Sequence, residues 1–219
     1  FYGGGWLNLE NGGGEQPTAI LHYQSAAGTG VPTVLCRTAE GKGAVWQISL
    51  ISVTVGTTVF TIPSAIKVVG SFGTDAILGV VPTSNDILFP NRRGIFSLGP
   101  EKNYYNVLRT NELSVRIRPY IQSLTGSLTS GICGYFYDAK VFFSVPTTTA
   151  GNSRMIVYDT ERLNWNVDWS VGAKQFFEYT DTSKVNHFMF VPVSGTQLVE
   201  MSSSIAGDLG VAFNTDYTS

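Results

Sequence analysis

Short apolar strands, paired across polar turns, return along this chain at a spacing near 50 residues, and that spacing restricts the fold more than any single motif. The best-formed copy runs from Tyr135 to Trp169. An aromatic-rich strand ends at Pro146, a small polar loop follows, and a second strand from Met155 to Tyr158 meets Asp159 and a turn that delivers Trp165. Aligning the hairpins on the apolar residues Leu35, Leu88, Phe143 and Phe190 gives separations of about 53, 55 and 47 positions. A period near 50 with about four strands per unit is the spacing of a β-propeller blade. The physical reason is edge management: a small twisted sheet cannot bury both faces alone, whereas stacked sheets cover one another and leave only short edges. The expectation is an all-β, β-propeller-like repeat of four-stranded antiparallel blades, about 4 to 5 of them. The alternative is a β-sandwich whose irregular loops reproduce the spacing.

Composition points the same way. Charged residues make up 14 % of the 219 residues, against about 25 % in ordinary domains. Glycine occurs 24 times, and the apolar residues lean on Val, Ile, Phe and Tyr, which fit a pleated, half-buried surface. A formal net charge of −2 speaks against broad attraction to nucleic acid or anionic membrane. No stretch approaches the roughly 18 apolar residues of a membrane-spanning helix. Cys36 and Cys133 lie in apolar runs, outside any metal-ligand spacing, and read as buried free thiols. The chain opens at Phe1 and reads as a single all-β domain over 1–219, or as a piece of a longer polypeptide.

In chain order, strands are predicted at 18–24, at Val34–Cys36 with its return Ala44–Ile48, through Val53 to Ile62 with a break at Gly56, and at Ala76–Val81. Others follow at Asp86–Pro90 with its return Ile95–Leu98, at Phe176–Tyr179, and at His187–Val191 with Gln197–Met201. Residues 107–124 are ambiguous. Leu113, Val115 and Ile117 alternate with polar residues as a strand would, yet Leu113, Ile117, Tyr120, Ile121 and Leu124 also fit one helical face, and Pro119 interrupts both readings. The glycine triplets at Gly3–Gly5 and Gly12–Gly14 read as tight turns; no helix pattern and no Lys-Ser/Thr follow to make a phosphate loop.

The chemistry-bearing residues are sparse. His22 and His187 have no nucleophile-elbow neighbour. Asp159 with Glu161, and Asp208 with Asp216, sit in turn contexts where Asp caps backbone N–H groups. No catalytic, cofactor-binding or metal-ligating residue is therefore assigned, and the chain is read as non-enzymatic. One charge cluster stands out: Arg92, Arg93, Lys102, Arg109, Arg116 and Arg118 are six of the 14 basic residues. As a functional patch it would face a neighbouring subunit's carboxylates or passing DNA, the subunit contact ranking first. The plainer and preferred reading is a solvated face, with Arg116 and Arg118 pointing out of a strand while Val115 and Ile117 point in. Tyr104, Tyr105, Tyr120, Trp165 and Trp169 could form a sugar platform, although Trp165 after Tyr158-Asp159 is better placed to anchor a blade on its own sheet.

Asp86-Ile-Leu-Phe-Pro-Asn-Arg-Arg-Gly-Ile-Phe-Ser-Leu98, then Leu113-Ser114 with Ile117, then Val141-Phe-Phe-Ser-Val-Pro146, Asn152, Ile156-Val-Tyr-Asp159 and Trp165, form a recognisable order. It resembles the β-propeller-type virion proteins of tailed bacteriophages, which build the tail nozzle, the tail tube end or the head-to-tail completion machinery. The Gly-rich opening around Trp6-Leu-Asn-Leu9 and the close from Asp208-Leu-Gly210 to Thr215 are similar to what flanks such blades. The resemblance implies a structural subunit in a symmetric ring around the DNA exit channel. Its partners would be copies of itself and other virion proteins, with passing DNA as a further contact and no membrane. Its place would be the virion tail or neck, and the host cytoplasm during assembly. The alternative function is a carbohydrate-binding propeller module, a lectin or receptor binder.

Overall fold

A computed structural model of the chain describes residues 9, 14–24, 30–38, 42–101, 104–125, 129–148, 151–194, 197–201, 207–208 and 211–212. Four antiparallel sheets of three to four strands follow one another along the sequence, and each takes its strands in chain order. The first contains β1 (Gln16–Gln24), β2 (Gly30–Arg37), β3 (Gly43–Val55) and β4 (Thr58–Val69). The second contains β5 (Val81–Pro82), β6 (Ile87–Asn91), β7 (Gly94–Glu101) and β8 (Tyr104–Glu112). The third contains β9 (Cys133–Tyr137), β10 (Lys140–Thr148), β11 (Gly151–Asp159) and β12 (Asn164–Trp169). The fourth contains β13 (Ala173–Thr180), β14 (Asn186–Pro192) and the short β15 (Val199–Glu200). A two-residue pair, β16 (Gly207–Asp208) and β17 (Val211–Ala212), comes last.

The protein is therefore all-β with blade-like sheets, as the repeat predicts. The four alignment residues fall on equivalent strands: Leu35 on β2, Leu88 on β6, Phe143 on β10 and Phe190 on β14, each the second strand of its sheet. All four are buried.

Alternation along the strands explains the stacking. On β6, Ile87 and Phe89 join Tyr23, Leu35 and Val45 in a core between the first and second sheets, while Leu88 points the other way. On β10, Val141, Phe143 and Val145 meet Val81, Leu88 and Ile95 between the second and third sheets. Phe142 on the opposite face meets Phe176, Phe188 and Phe190 between the third and fourth. An inner sheet is thus apolar on both faces. Burying each large side chain is worth roughly 1.5–3 kcal/mol, so the cores between sheets dominate the stability. A further cluster, Val34, Cys36, Ala44 and Trp46, lies on the outward face of the first sheet. Trp46 Nε1 donates to Glu15 Oε2 (2.8 Å), and Lys67 lies over its ring while pairing with Glu15 (2.9 Å).

Turns carry the residues the geometry needs. Asp138 and Ala139 both have positive φ between β9 and β10, the signature of a two-residue hairpin turn whose twist matches the strands. Asp159 Oδ1 accepts from the amides of Glu161 and Arg162, and Asn91 Oδ1 accepts from that of Arg93. These are the local caps expected of Asp and Asn in turns. Both cysteines are buried and neither is in a disulfide. Burial pushes the Cys133 thiol up to about 12.

One predicted strand is corrected and one ambiguity is resolved. Ala76–Val81 is not a continuous strand. Ile77–Gly79 forms a 3-10 turn, and a Cβ on Gly79 would lie 2.8 Å from Pro90 Cγ and 2.9 Å from Ala76 Cβ, so the turn is pressed against β6. Residues 113–118 are not a strand either. β8 ends at Glu112, Val115–Ile117 is a 3-10 turn, and α1 spans Arg118–Thr125. Pro119 sits in the first turn of α1, where its missing N–H would have no intrahelical partner anyway. Leu113, Ile117, Tyr120 and Ile121 then pack on the core between the second and third sheets, so the helical periodicity prevails. The Gly-rich opening, apart from Leu9 and Gly14, and the segment around Asp216 lie outside the described residues.

Candidate functional site

Among the described residues, most of the exposed large apolar side chains lie on the first sheet. The ladder between β2 and β3 ends at Thr33–Gln47, whereas the β3–β4 ladder continues to Val55–Thr58. Beyond Gln47 the β3–β4 pair is thus a two-stranded ribbon that has left its sheet. Eight residues of strand, Ile48–Val55, project by about 26 Å at ~3.3 Å each, and Gly56, at φ +64°, turns the tip. Pro32 follows where the β2–β3 ladder stops and brings no N–H to either neighbour, and Pro63 lies on the edge strand β4, where a missing donor is tolerated.

The cross-strand register sorts the ribbon into two faces. Val55/Thr58, Val53/Phe60, Ile51/Ile62 and Ser49/Ser64 share one; Thr54/Val59, Ser52/Thr61, Leu50/Pro63 and Ile48/Ala65 share the other. The first is a nearly continuous apolar stripe. On it Val55 is 64 % exposed and Phe60 49 %, while on the other face Leu50 is 73 % exposed. No charged residue occurs between Lys42 and Lys67.

A second feature lies in the seam between the first and second sheets. A surface recess of about 280 Å³ is lined by Arg37, Lys42 and Arg92, with Thr38, Asp75 and Asn91 among the polar residues. Two glycines bring its walls together. A Cβ on Gly43 would come 2.1 Å from the Cys36 carbonyl oxygen, and one on Gly73 would come 1.9 Å from the same atom. Asn91 Nδ2 fixes the linker by donating to the Gly73 carbonyl (2.6 Å).

The basic residues singled out from the sequence do not converge. Arg92 lines the recess, with Nε 3.9 Å from Asp75 Oδ2. Arg93 occupies the β6–β7 turn, and Arg109 lies on β8 across from Gly99. Arg116 is exposed on the 3-10 turn, and Arg118 opens α1 and forms a forked ion pair with Glu112. The strand-face reading of Arg116 and Arg118 is corrected accordingly, since neither is on a strand. Lys102 lies outside the described residues. Sequence reasoning missed Arg37 and Lys42, which join Arg92 only through folding.

The aromatic candidates are mostly structural. Trp165 packs at a tilt against Tyr158 (5.0 Å between centroids) and Phe143 (6.4 Å), and its Nε1 donates to the Leu113 carbonyl (3.0 Å). It therefore ties its own sheet to the end of the preceding unit rather than presenting a flat ring to solvent. Trp169 packs against Phe142, and Tyr120 packs on the neighbouring core. The side chains of Tyr104 and Tyr105 lie outside the described residues.

Two further titratable groupings complete the survey. Asp86 stands at the start of β6, and burial raises its carboxyl above the usual range. The Tyr23 hydroxyl is pushed up to about 12, by burial first and by Asp86 second. On the fourth sheet, His187 Nδ1 is 2.6 Å from Glu200 Oε1 and Nε2 is 3.4 Å from Asp181 Oδ2. These bonds raise the His187 pKa, with the Glu200 bond the largest cause. Asp181 is lowered, chiefly by the Val185 amide. The His187 contribution to folding is fully present below the unfolded pKa of about 6.5 and is lost as pH rises through the higher folded value. The Asp181 contribution is present above its unfolded pKa and is lost as pH falls through the lower folded value. A histidine NMR titration is therefore expected to give His187 a midpoint above 6.5, and Glu200→Gln is expected to bring it down. An unshifted midpoint in the native protein would remove the carboxylate pairing.

No protein-family model matches the chain, and no curated protein matches it.

Proposed function

We propose that this protein is a non-enzymatic structural subunit of a tailed-phage particle, placed in the tail or neck around the DNA channel and joined to copies of itself and to other virion proteins. The observation that supports this reading is the uncharged β3–β4 ribbon. A bare two-stranded hairpin is marginal in water, and an apolar projecting strand pair invites association. Interface cores are depleted in charge, as this ribbon is. A ribbon about 26 Å long, covered on both faces, supplies on the order of the 800 Å² per partner of a standard interface.

The occupant favoured is a second copy of this chain. Its fourth sheet offers an outward face with Tyr179 exposed beside His187 and Glu200. A contact of ribbon on one copy with sheet on the next is heterologous, the type that generates rings. A bilayer fits less well, because a lone ribbon leaves the N–H and C=O groups of both strand edges unpaired in hydrocarbon.

Two measurements test the proposal. Sedimentation velocity over a rising concentration series is expected to show a closed oligomer, and mass spectrometry of purified particles is expected to find the chain at fixed copy number. A protein that remains monomeric and is absent from particles would overturn it, as would flotation with lipid vesicles through the ribbon.

A further inference from the structure

We propose that the recess between the first and second sheets is a binding site for a phosphate-type oxyanion. This goes beyond an assembly role and rests on different residues. Arg37 is contributed by the end of β2, Lys42 by the residue before β3, and Arg92 by the β6–β7 turn, so three cationic side chains from two sheets border one recess. Among the described lining residues the opposing charge is Asp75 alone. Glu15, next to the lining residues Gly14 and Gln16, is engaged elsewhere, by Lys67 and Trp46. Arg37 and Arg92 thus give the recess a cationic rim against the one carboxylate of Asp75 among the described lining residues, which suits an oxyanion.

The polar atoms support the same ligand. Arg37 uses Nε on Gln16 Oε1 (3.3 Å), an exposed contact that leaves its terminal guanidinium nitrogens available to a planar or tetrahedral oxyanion. Arg92 is held by Asp75 only at 3.9 Å, longer than a hydrogen bond. Thr38 lines the recess, and its buried hydroxyl has no hydrogen-bond partner. That hydroxyl is closed off from solvent, so Thr38 forms part of the wall and the ligand contacts fall to the arginines. Asn91 and Thr74 have other duties: Asn91 donates to Gly73, and Thr74 Oγ1 accepts from the Ala76 amide. They shape the wall rather than reach the ligand. The close approach of Gly43 and Gly73 holds the wall in place before any ligand arrives, which lowers the cost of binding.

A phosphate group could come from a free small molecule or from a nucleic-acid backbone, and the chemistry of the recess is the same for both. The test is isothermal titration of the full chain with inorganic phosphate, and separately with a single-stranded 20-nucleotide DNA, at constant ionic strength set with chloride. Wild type is expected to bind at least one of the two. Arg37→Gln and Arg92→Gln are each expected to weaken that binding at least fivefold, and Asp75→Asn to strengthen it severalfold. Arg116→Gln, on the surface elsewhere, is expected to leave it unchanged. Phosphate binding with these effects identifies a discrete anion site; DNA binding alone, with the same effects, identifies a backbone contact. The proposal is overturned if neither probe binds, or if binding is indifferent to Arg37, Arg92 and Asp75 in variants whose circular dichroism and melting temperature match wild type.

Discussion

Replacing Phe188 with alanine is expected to destabilise the protein by about 3–5 kcal/mol, the range for deleting a large aromatic side chain from a packed core. Phe188 sits on β14 and is 2 % exposed. Its ring lies 4.8 Å from that of Tyr137, 4.8 Å from Phe142, 5.6 Å from Tyr135 and 5.7 Å from Phe176. Three of those rings belong to the third sheet and one to the fourth, so the side chain is the hub of the contact between the two. Ala173, Phe176 and Phe190 of the fourth sheet share that core, and Asn152 and Ser144 bond the Ala173 backbone, so Phe188 is the largest of several ties. Because stacked sheets contact mainly their neighbours, the loss is expected to fall unevenly. Amides of β13 and β14 should lose hydrogen-exchange protection first, while those of β6 and β7 retain theirs. Phe188→Leu, which keeps part of the volume, should cost less. Denaturant titration with exchange mass spectrometry provides the check. A loss under about 1 kcal/mol in the alanine variant would mean that the aromatic cluster does not hold the sheets together.

The same packing explains how far the fold could be read in advance. Leu35, Leu88, Phe143 and Phe190 were legible as a series because each lies in an apolar run; β2, β6 and β10 are buried on both sides, whereas β14 is buried at alternate residues. Ile77 and Leu78 misled for a related reason. They are apolar and lie in an apolar run, yet they are exposed on a 3-10 turn fixed by the contact of Gly79 with Pro90, a tertiary cause. Residues 113–125 carried both periods, and α1 prevailed because its Ile121 fills the core beside Phe143. The basic cluster looked coherent only along the chain. Folding sends Arg118 to Glu112 and Arg92 to a recess whose other cations come from residues 37 and 42. No local pattern could announce that recess, since two glycines far apart in sequence shape its wall. The ribbon did leave a trace, the unbroken absence of charge from residue 43 to residue 66. Alternation alone cannot tell a strand that stays in its sheet from one that departs.

That trace supplies the prediction with the largest effect on assembly. The double variant Ile51→Lys with Phe60→Lys places two ammonium groups on the apolar face, with Phe60 opposite Val53 and next to the Ile51–Ile62 pair. Both native side chains are exposed, so the monomer should keep its stability within about 0.5 kcal/mol. In a closed interface the same charges would be desolvated without partners, which costs several kcal/mol. Self-association is therefore expected to weaken at least 100-fold, with about 2.7 kcal/mol as the corresponding minimum. Leu50→Lys tests the other face and should weaken association less, because the Ser52–Thr61 pair interrupts that face, whereas the hydroxyl residues of the first face, Thr58 and the Ser49–Ser64 pair, lie at its two ends. Sedimentation of wild type and variants at matched concentration reads the outcome. If the double variant assembles as well as wild type, the ribbon is not the joint. If it melts well below wild type, the ribbon is instead part of the monomer's own stability. If only Leu50→Lys disrupts the oligomer, the contact uses the opposite face of the ribbon.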